Sequence, residues 1–155
     1  MACAYQDDIM QLWVTDDAEY LYYGVVIENI ANYPNWGLQM NTDADHTTGY
    51  QLDWVWQQGS TGSDFVVENG TLKSHTTNTT DWAPLNDVAG GVVFFEQRGN
   101  AMEMKIAKSA LTAPGKSLSS SIGFGMELKD SNWVLTHATN SGNLQTPMHV
   151  YTFTN

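Results

Sequence analysis

The sequence predicts an all-β protein, an antiparallel β-sandwich of jelly-roll-like kind built as a single domain over residues 1–155. Three observations carry that prediction. Apolar and polar residues alternate in short runs, the period of two that marks a half-buried strand. Turn residues interrupt these runs at intervals of roughly ten, the spacing of a sandwich. Asn69-Gly70 stands between two such runs in "DFVVENGTLK", and a pair so tolerant of positive φ is the strongest short hairpin signal. Only "KSALTAPG", residues 108–115, suggests a helical turn.

The elements follow in order. In "IMQLWVT" Met10, Leu12 and Val14 share one face, and Gln11, Trp13 and Thr15 the other. In "YLYYGVVIE" the apolar set is Leu21, Tyr23, Val25 and Ile27. Closing the loop over Asp16, Asp17, Ala18 and Glu19 pairs Val14 with Leu21, Leu12 with Tyr23 and Met10 with Val25. The outer side then sets Trp13 opposite Tyr22 and Thr15 opposite Tyr20. A slip of one residue would turn the whole apolar set to solvent. "YQLDWVWQ" reads as a strand with Tyr50, Leu52, Trp54 and Trp56 on a core face, so at least one of these tryptophans is packing. "GVVFFEQRGNAMEMKIA" reads as a hairpin turning near Gly99 with Met102, Met104 and Ile106 inward. "SIGFGMELKDSNWVLTH" alternates Ile122, Phe124, Met126 and Leu128 before a turn at Asp130 to Asn132, and "MHVYTF" supplies a closing strand. The expected total is about nine or ten strands.

Composition narrows the partners. Six Lys plus Arg against 17 Asp plus Glu give a formal charge of −11, which repels phosphate backbones and anionic lipid and argues against nucleic acid and membrane surfaces. No apolar run approaches the roughly 20 residues of a membrane span. A single cysteine, Cys3, leaves no internal disulfide. Aromatic residues make up 12% and charged residues only 15%, which suits a surface that meets neutral polar ligands.

The order of "DI", "VTDDAEYLYYGV", "NTDADHTTGY", "GSDFVVE" and "MEMKIAKSAL" across residues 7–130 resembles the family 9-type carbohydrate-binding modules and their relatives, β-sandwich domains attached to secreted glycoside hydrolases such as amylases and xylanases. Asn41 replaces an aspartate common in relatives, and Ala107 replaces a proline. The resemblance implies non-catalytic binding of a polysaccharide, with starch-like α-glucan favoured. It also implies a structural calcium, an extracellular location and a catalytic neighbour in the full-length protein.

Candidate sites follow from residue types and from that likeness. Calcium takes six to eight oxygen ligands, and Asp43 and Asp45 are closely spaced carboxylates of the kind it needs. An EF-hand is excluded, since counting from Asp43 puts Thr48 sixth and Trp54 twelfth, where that motif requires Gly and Glu. Asp64 is the further metal ligand that the resemblance implies, and a solvated Asx turn without an ion is the alternative. Such modules stack Trp and Tyr faces on sugar rings, so Trp13, Tyr22, Trp36 and Trp82, placed outside by alternation or loop context, are the expected ligand-binding aromatics. Each has an alternative role in covering an edge or pinning a loop. If Gly99-Asn100 is a two-residue turn, Glu96 faces Glu103, a possible carboxylate pair for glycoside hydrolysis; a three-residue turn instead sets Glu96 opposite Met102. An adhesion module with calcium-dependent protein contacts is the third reading. The four histidines, at 46, 75, 137 and 149, show no zinc spacing.

Overall fold

The computed structural model describes residues 9–56, 61–76, 85–89, 93–112, 115–138 and 147–154. Among them are eleven strands: β1 (Ile9–Asp16), β2 (Tyr20–Ile27), β3 (Asn35–Asn41), β4 (Phe65–Glu68), β5 (Thr71–His75), β6 (Leu85–Asp87), β7 (Val93–Arg98), β8 (Ala101–Ala107), β9 (Ser121–Lys129), β10 (Leu135–Ala138) and β11 (His149–Thr152). The expected helical turn is a 3-10 segment, Lys108–Thr112. Two antiparallel sheets form. Sheet A runs β1-β2-β8-β7; sheet B runs β10-β9-β3-β4-β5-β6, with β11 also on β9. Their inner faces pack on each other, so the architecture is the expected all-β sandwich.

The core is made by alternation. Sheet A contributes Leu21, Tyr23, Val25 and Ile27 from β2 and Met102, Met104 and Ile106 from β8. Sheet B answers with Trp36, Leu38 and Met40, Phe65 and Val67, and Ile122, Phe124, Met126 and Leu128. Two hairpin turns match their sequence chemistry. Asn69 and Gly70 both take positive φ, 46° and 89°, as a type I′ turn requires. Gly99 takes φ 57° ahead of Asn100, and Arg98 pairs with Ala101, so the turn has two residues and Glu96 does lie opposite Glu103.

Three expectations are corrected. The first hairpin pairs Asp16 with Leu21, Val14 with Tyr23 and Leu12 with Val25, two residues away from the expected register. The Asp17 amide closes the turn on the Tyr20 carbonyl, so the loop starts one residue later. A shift of two keeps every side chain on its face, which is why alternation was blind to it. Trp13 thus sits opposite Gly24, and Tyr22 opposite Thr15.

The second correction concerns residues 50–56. Tyr50 makes one bridge to Ser63, and then the Leu52 carbonyl accepts from the amides of Val55 and Trp56 at 2.8 and 3.0 Å. That turn replaces a period of two by helical spacing: Leu52, Val55 and Trp56 go inward and Trp54 swings out. The third is Trp36. It opens β3 rather than ending a loop, shares the inner face with Leu38 and Met40, and packs its ring 5.2 Å from Phe95; at 6% exposure it is core. Trp82 lies outside the described residues.

A second apolar cluster, Tyr50, Leu52, Val55, Trp56, Ala138 and Met148, lies on the outer side of sheet B as a cap. At the far edge, Asp16 ties three elements together. Its buried carboxylate is 2.6 Å from Lys108 Nζ and accepts from the Tyr151 hydroxyl at 2.6 Å and from the Thr154 amide and hydroxyl at 3.0 and 2.8 Å. Burial pushes this carboxyl up, and the Lys108, Tyr151 and Thr154 donors outweigh it, holding it well below the ordinary range.

Candidate functional site

The outer face of sheet B carries two carboxylate–ammonium pairs together with a buried amide, Gln39, and a buried imidazole, His75. Glu68 on β4 pairs with Lys73 on β5 at 2.8 Å, and Glu127 pairs with Lys129 on β9 at 3.1 Å. Gln39 fixes the second pair from β3, donating through Nε2 to Glu127 Oε2 at 3.1 Å. The Gln39 oxygen accepts from the Ser63 hydroxyl at 2.7 Å and lies 3.1 Å from His75 Nε2. Burial, with smaller contributions from the Lys116 and Lys129 charges, pushes His75 down to about 3, so its ring is neutral and Nε2–H is the donor to Gln39. Gly37 leaves room beside Glu127, since a Cβ there would stand 3.2 Å from Oε2.

These two ion pairs floor a depression of about 560 Å³. Its walls come from two loops. On one side the 50–56 turn presents Tyr50, Leu52 and Trp54; on the other the β9–β10 turn presents Trp133 and Leu135. Trp54 is 52% exposed and Trp133 49%, both large apolar rings turned to solvent. Asp130 holds the second wall, its Oδ1 accepting from the amides of Asn132 and Val134 at 2.8 and 3.0 Å. Trp133 sits in the left-handed region, φ 63°, an uncommon conformation for a bulky residue and one that collects at functional sites. Neither tryptophan was among the expected binding residues. The strand reading set Trp54 on one core face with Trp56 and expected at least one of them to pack, which Trp56 does; Trp133 adjoins a recognised turn, where an aromatic directly after Asp-Ser-Asn was the available signal.

The expected residues assemble elsewhere, on the outer face of sheet A. A depression of about 470 Å³ there is lined by Trp13, Tyr22, Phe94, Glu96, Glu103 and Lys105 among others. Two of the four expected aromatics therefore share a surface with the carboxylate pair. Trp13 is held by Gly24: a Cβ on that glycine would lie 1.9 Å from the indole Cε2, so the ring fills the missing side chain's place. The Tyr22 hydroxyl donates to Asp17 at 2.6 Å, which pushes its phenol up to about 12 and keeps it protonated. Lys105 Nζ lies 3.6 Å from the centre of the Tyr20 ring. Both glutamates are exposed, and Glu96 is paired with Arg98 at 2.7 Å, so neither sits in the apolar surroundings that make a general acid.

The acidic loop has internal partners. Asp43 accepts from the Asp45 amide and the Thr48 hydroxyl, both at 2.8 Å, and Asp45 accepts from the Thr47 amide and hydroxyl at 2.8 and 2.6 Å. Thr47 holds the Asp45 carboxyl below its ordinary value. Asp64 is buried; one oxygen accepts from the Thr42 amide and hydroxyl at 2.9 and 3.1 Å, and the other faces Lys116 Nζ at 3.0 Å. Among the described residues no three His, Cys, Asp or Glu side chains are grouped as metal ligands. The Lys116 ammonium already neutralises Asp64, so in this arrangement Asp64 is an ion-pair partner and not a carboxylate left open for the expected calcium.

No protein-family model, no curated protein and no solved structure matches the chain. The likeness to carbohydrate-binding modules thus rests on the quoted motifs.

Proposed function

We propose that this domain is a non-catalytic carbohydrate-binding module whose site is the groove on sheet B. One observation carries the reading: two half-exposed tryptophans on separate loops line one depression whose floor is made of two carboxylate–ammonium pairs, one buried and one half-buried. Indole faces stack on the C–H surface of a pyranose. Each floor pair offers an acceptor beside a donor, which matches two neighbouring hydroxyls of one sugar. Because the pairs are already formed and Gln39 and Asp130 fix their surroundings, little ordering is lost on binding. A starch-like α-glucan is the ligand class that the family resemblance favours, and accessory service to a secreted glycosidase is the setting.

The test is retention on insoluble starch, cellulose and xylan, with and without chelator. We expect retention on at least one, unchanged by chelator, with Trp54→Ala and Trp133→Ala each lowering affinity on the order of tenfold, about 1.4 kcal/mol. Retention on none of the three sinks the reading. A glycosidase acting through Glu96 and Glu103 is the second reading, favoured by their direct opposition across the hairpin. It requires reducing-sugar release that disappears in Glu103→Gln.

A further inference from the structure

The outer face of sheet A repeats the chemistry of the sheet B groove in a different geometry. Its cross-strand register fixes the layout. Thr15, Tyr22, Lys105 and Phe94 stand in one row across the four strands, and Trp13, Gly24, Glu103 and Glu96 in the next. Neighbouring strands lie about 4.8 Å apart, so the aromatic and charged side chains of the two rows are within reach of one ligand. Trp13 and Phe94 are 39% and 59% exposed at opposite edges of this surface, with the carboxylates and Lys105 between and beside them.

Charge decides what such a surface takes. The protein as a whole carries −11; here Glu96 and Glu103 are set against Arg98 and Lys105, and Asp17 on the Tyr22 hydroxyl leaves one carboxylate in excess. An anionic ligand gains nothing from that balance, whereas a neutral polyhydroxyl ligand finds acceptors and donors side by side with aromatic faces. The surface is also formed in advance, since Gly24 seats Trp13, Asp17 holds the Tyr22 hydroxyl and Lys105 rests on Tyr20.

We propose that this face is a second glycan-binding surface, so that the domain is bivalent and joins two chains of the polymer it binds. The proposal rests on the sheet B groove being a glycan site. The two surfaces lie on opposite outer faces of a sandwich whose sheets pack about 10 Å apart, so they engage separate chains, or distant parts of one. On an insoluble or branched polymer the second contact is then made at high local concentration, and avidity rises without any new type of interaction.

Native mass spectrometry with maltohexaose, cellohexaose and xylohexaose tests this. The wild type is expected to take two molecules of the hexaose it prefers. Trp13→Ala and Trp54→Ala should each take one, and the double variant none. Phe94→Ala, which removes a largely exposed ring and spares the Trp13 seat, should weaken the same site as Trp13→Ala. The wild type alone should raise turbidity with the corresponding soluble polymer, and both single variants should fail to. One hexaose per chain, lost in Trp54→Ala and unaffected by Trp13→Ala and Phe94→Ala, overturns bivalency while leaving the groove as the site. Binding of no hexaose overturns both readings. A dimer in sedimentation that Trp13→Ala dissociates would give this face to a second copy of the chain and also overturn the proposal.

Discussion

Trp13 and Trp56 occupy the same kind of seat and meet opposite fates. Each indole takes the space over a strand glycine on an outward face: a Cβ on Gly24 would lie 1.9 Å from Trp13, and one on Gly125 would lie 2.3 Å from Trp56. On sheet A the ring stays 39% exposed, beside carboxylates and tyrosines. On sheet B the ring is fully buried under the cap with Tyr50, Leu52 and Met148. The difference is what lies above the glycine. A bare seat makes a binding platform from one side chain; a covered seat makes an anchor for loops, and those loops then carry Trp54 and Trp133 to the groove.

The largest expected effect tests that contrast directly. Trp56→Ala should cost about 4 kcal/mol in urea denaturation, since it empties a buried aromatic site, while Trp13→Ala should cost about 1 kcal/mol. Equal costs would mean that the two seats do the same work. Next is the ion pair beneath the acidic loop. Lys116→Met leaves Asp64 buried without its cation and should cost about 3 kcal/mol, and chelator should leave the melting temperature of the wild type unchanged. A fall in melting temperature on chelation would restore the expected calcium.

The pH response separates the sheets more finely. His75, on the outer side of sheet B, is held neutral down to about pH 3, against an ordinary value of 6.5. The unfolded chain therefore takes a proton that the folded one refuses, so this contribution is complete above pH 6.5 and shrinks as pH falls from there toward 3. His75→Gln, followed by urea midpoints from pH 7 to 4, should flatten that slope. Asp16 acts in the same direction but lower: its carboxyl is depressed below 3.8, so its stabilisation is complete above that pH and is lost only in stronger acid. The smallest effect is Glu103→Gln on sheet A, which relieves the opposed Glu96 carboxylate and should raise stability by about 0.3 kcal/mol.

Which residues face inward was readable from alternation, because burial on a pleated strand leaves a period of two. Leu21, Tyr23, Met104 and Phe124 all fall where that period puts them. The hairpins at Asn69-Gly70 and Gly99-Asn100 were readable for a separate reason, the positive φ that their turns demand. Pairing offset was not readable in the first hairpin, as a shift of two preserves the pattern. The groove was not readable either. Its floor residues, Glu68, Lys73, Glu127 and Lys129, are charged positions on outward strand faces and look solvated until the cap is placed over them. Whether Trp54 or Trp56 enters that cap depends on the turn at Leu52, which a strand-like reading of "QLDWVW" conceals.

The Asp16 cluster has a kinetic meaning. Its bonds to Tyr151 and Thr154 join residues 135 and 138 positions apart in the chain, among the most distant contacts in the molecule. Closing so long a loop is rewarded only after the intervening strands have paired, so these bonds form late on the folding path. Weakening them should leave the folding rate nearly untouched and speed unfolding instead. The edge where β1 meets β11 is then expected to act as a latch, and Asp16→Asn should shorten the lifetime of the folded state more than it slows assembly, as unfolding and refolding rates would show.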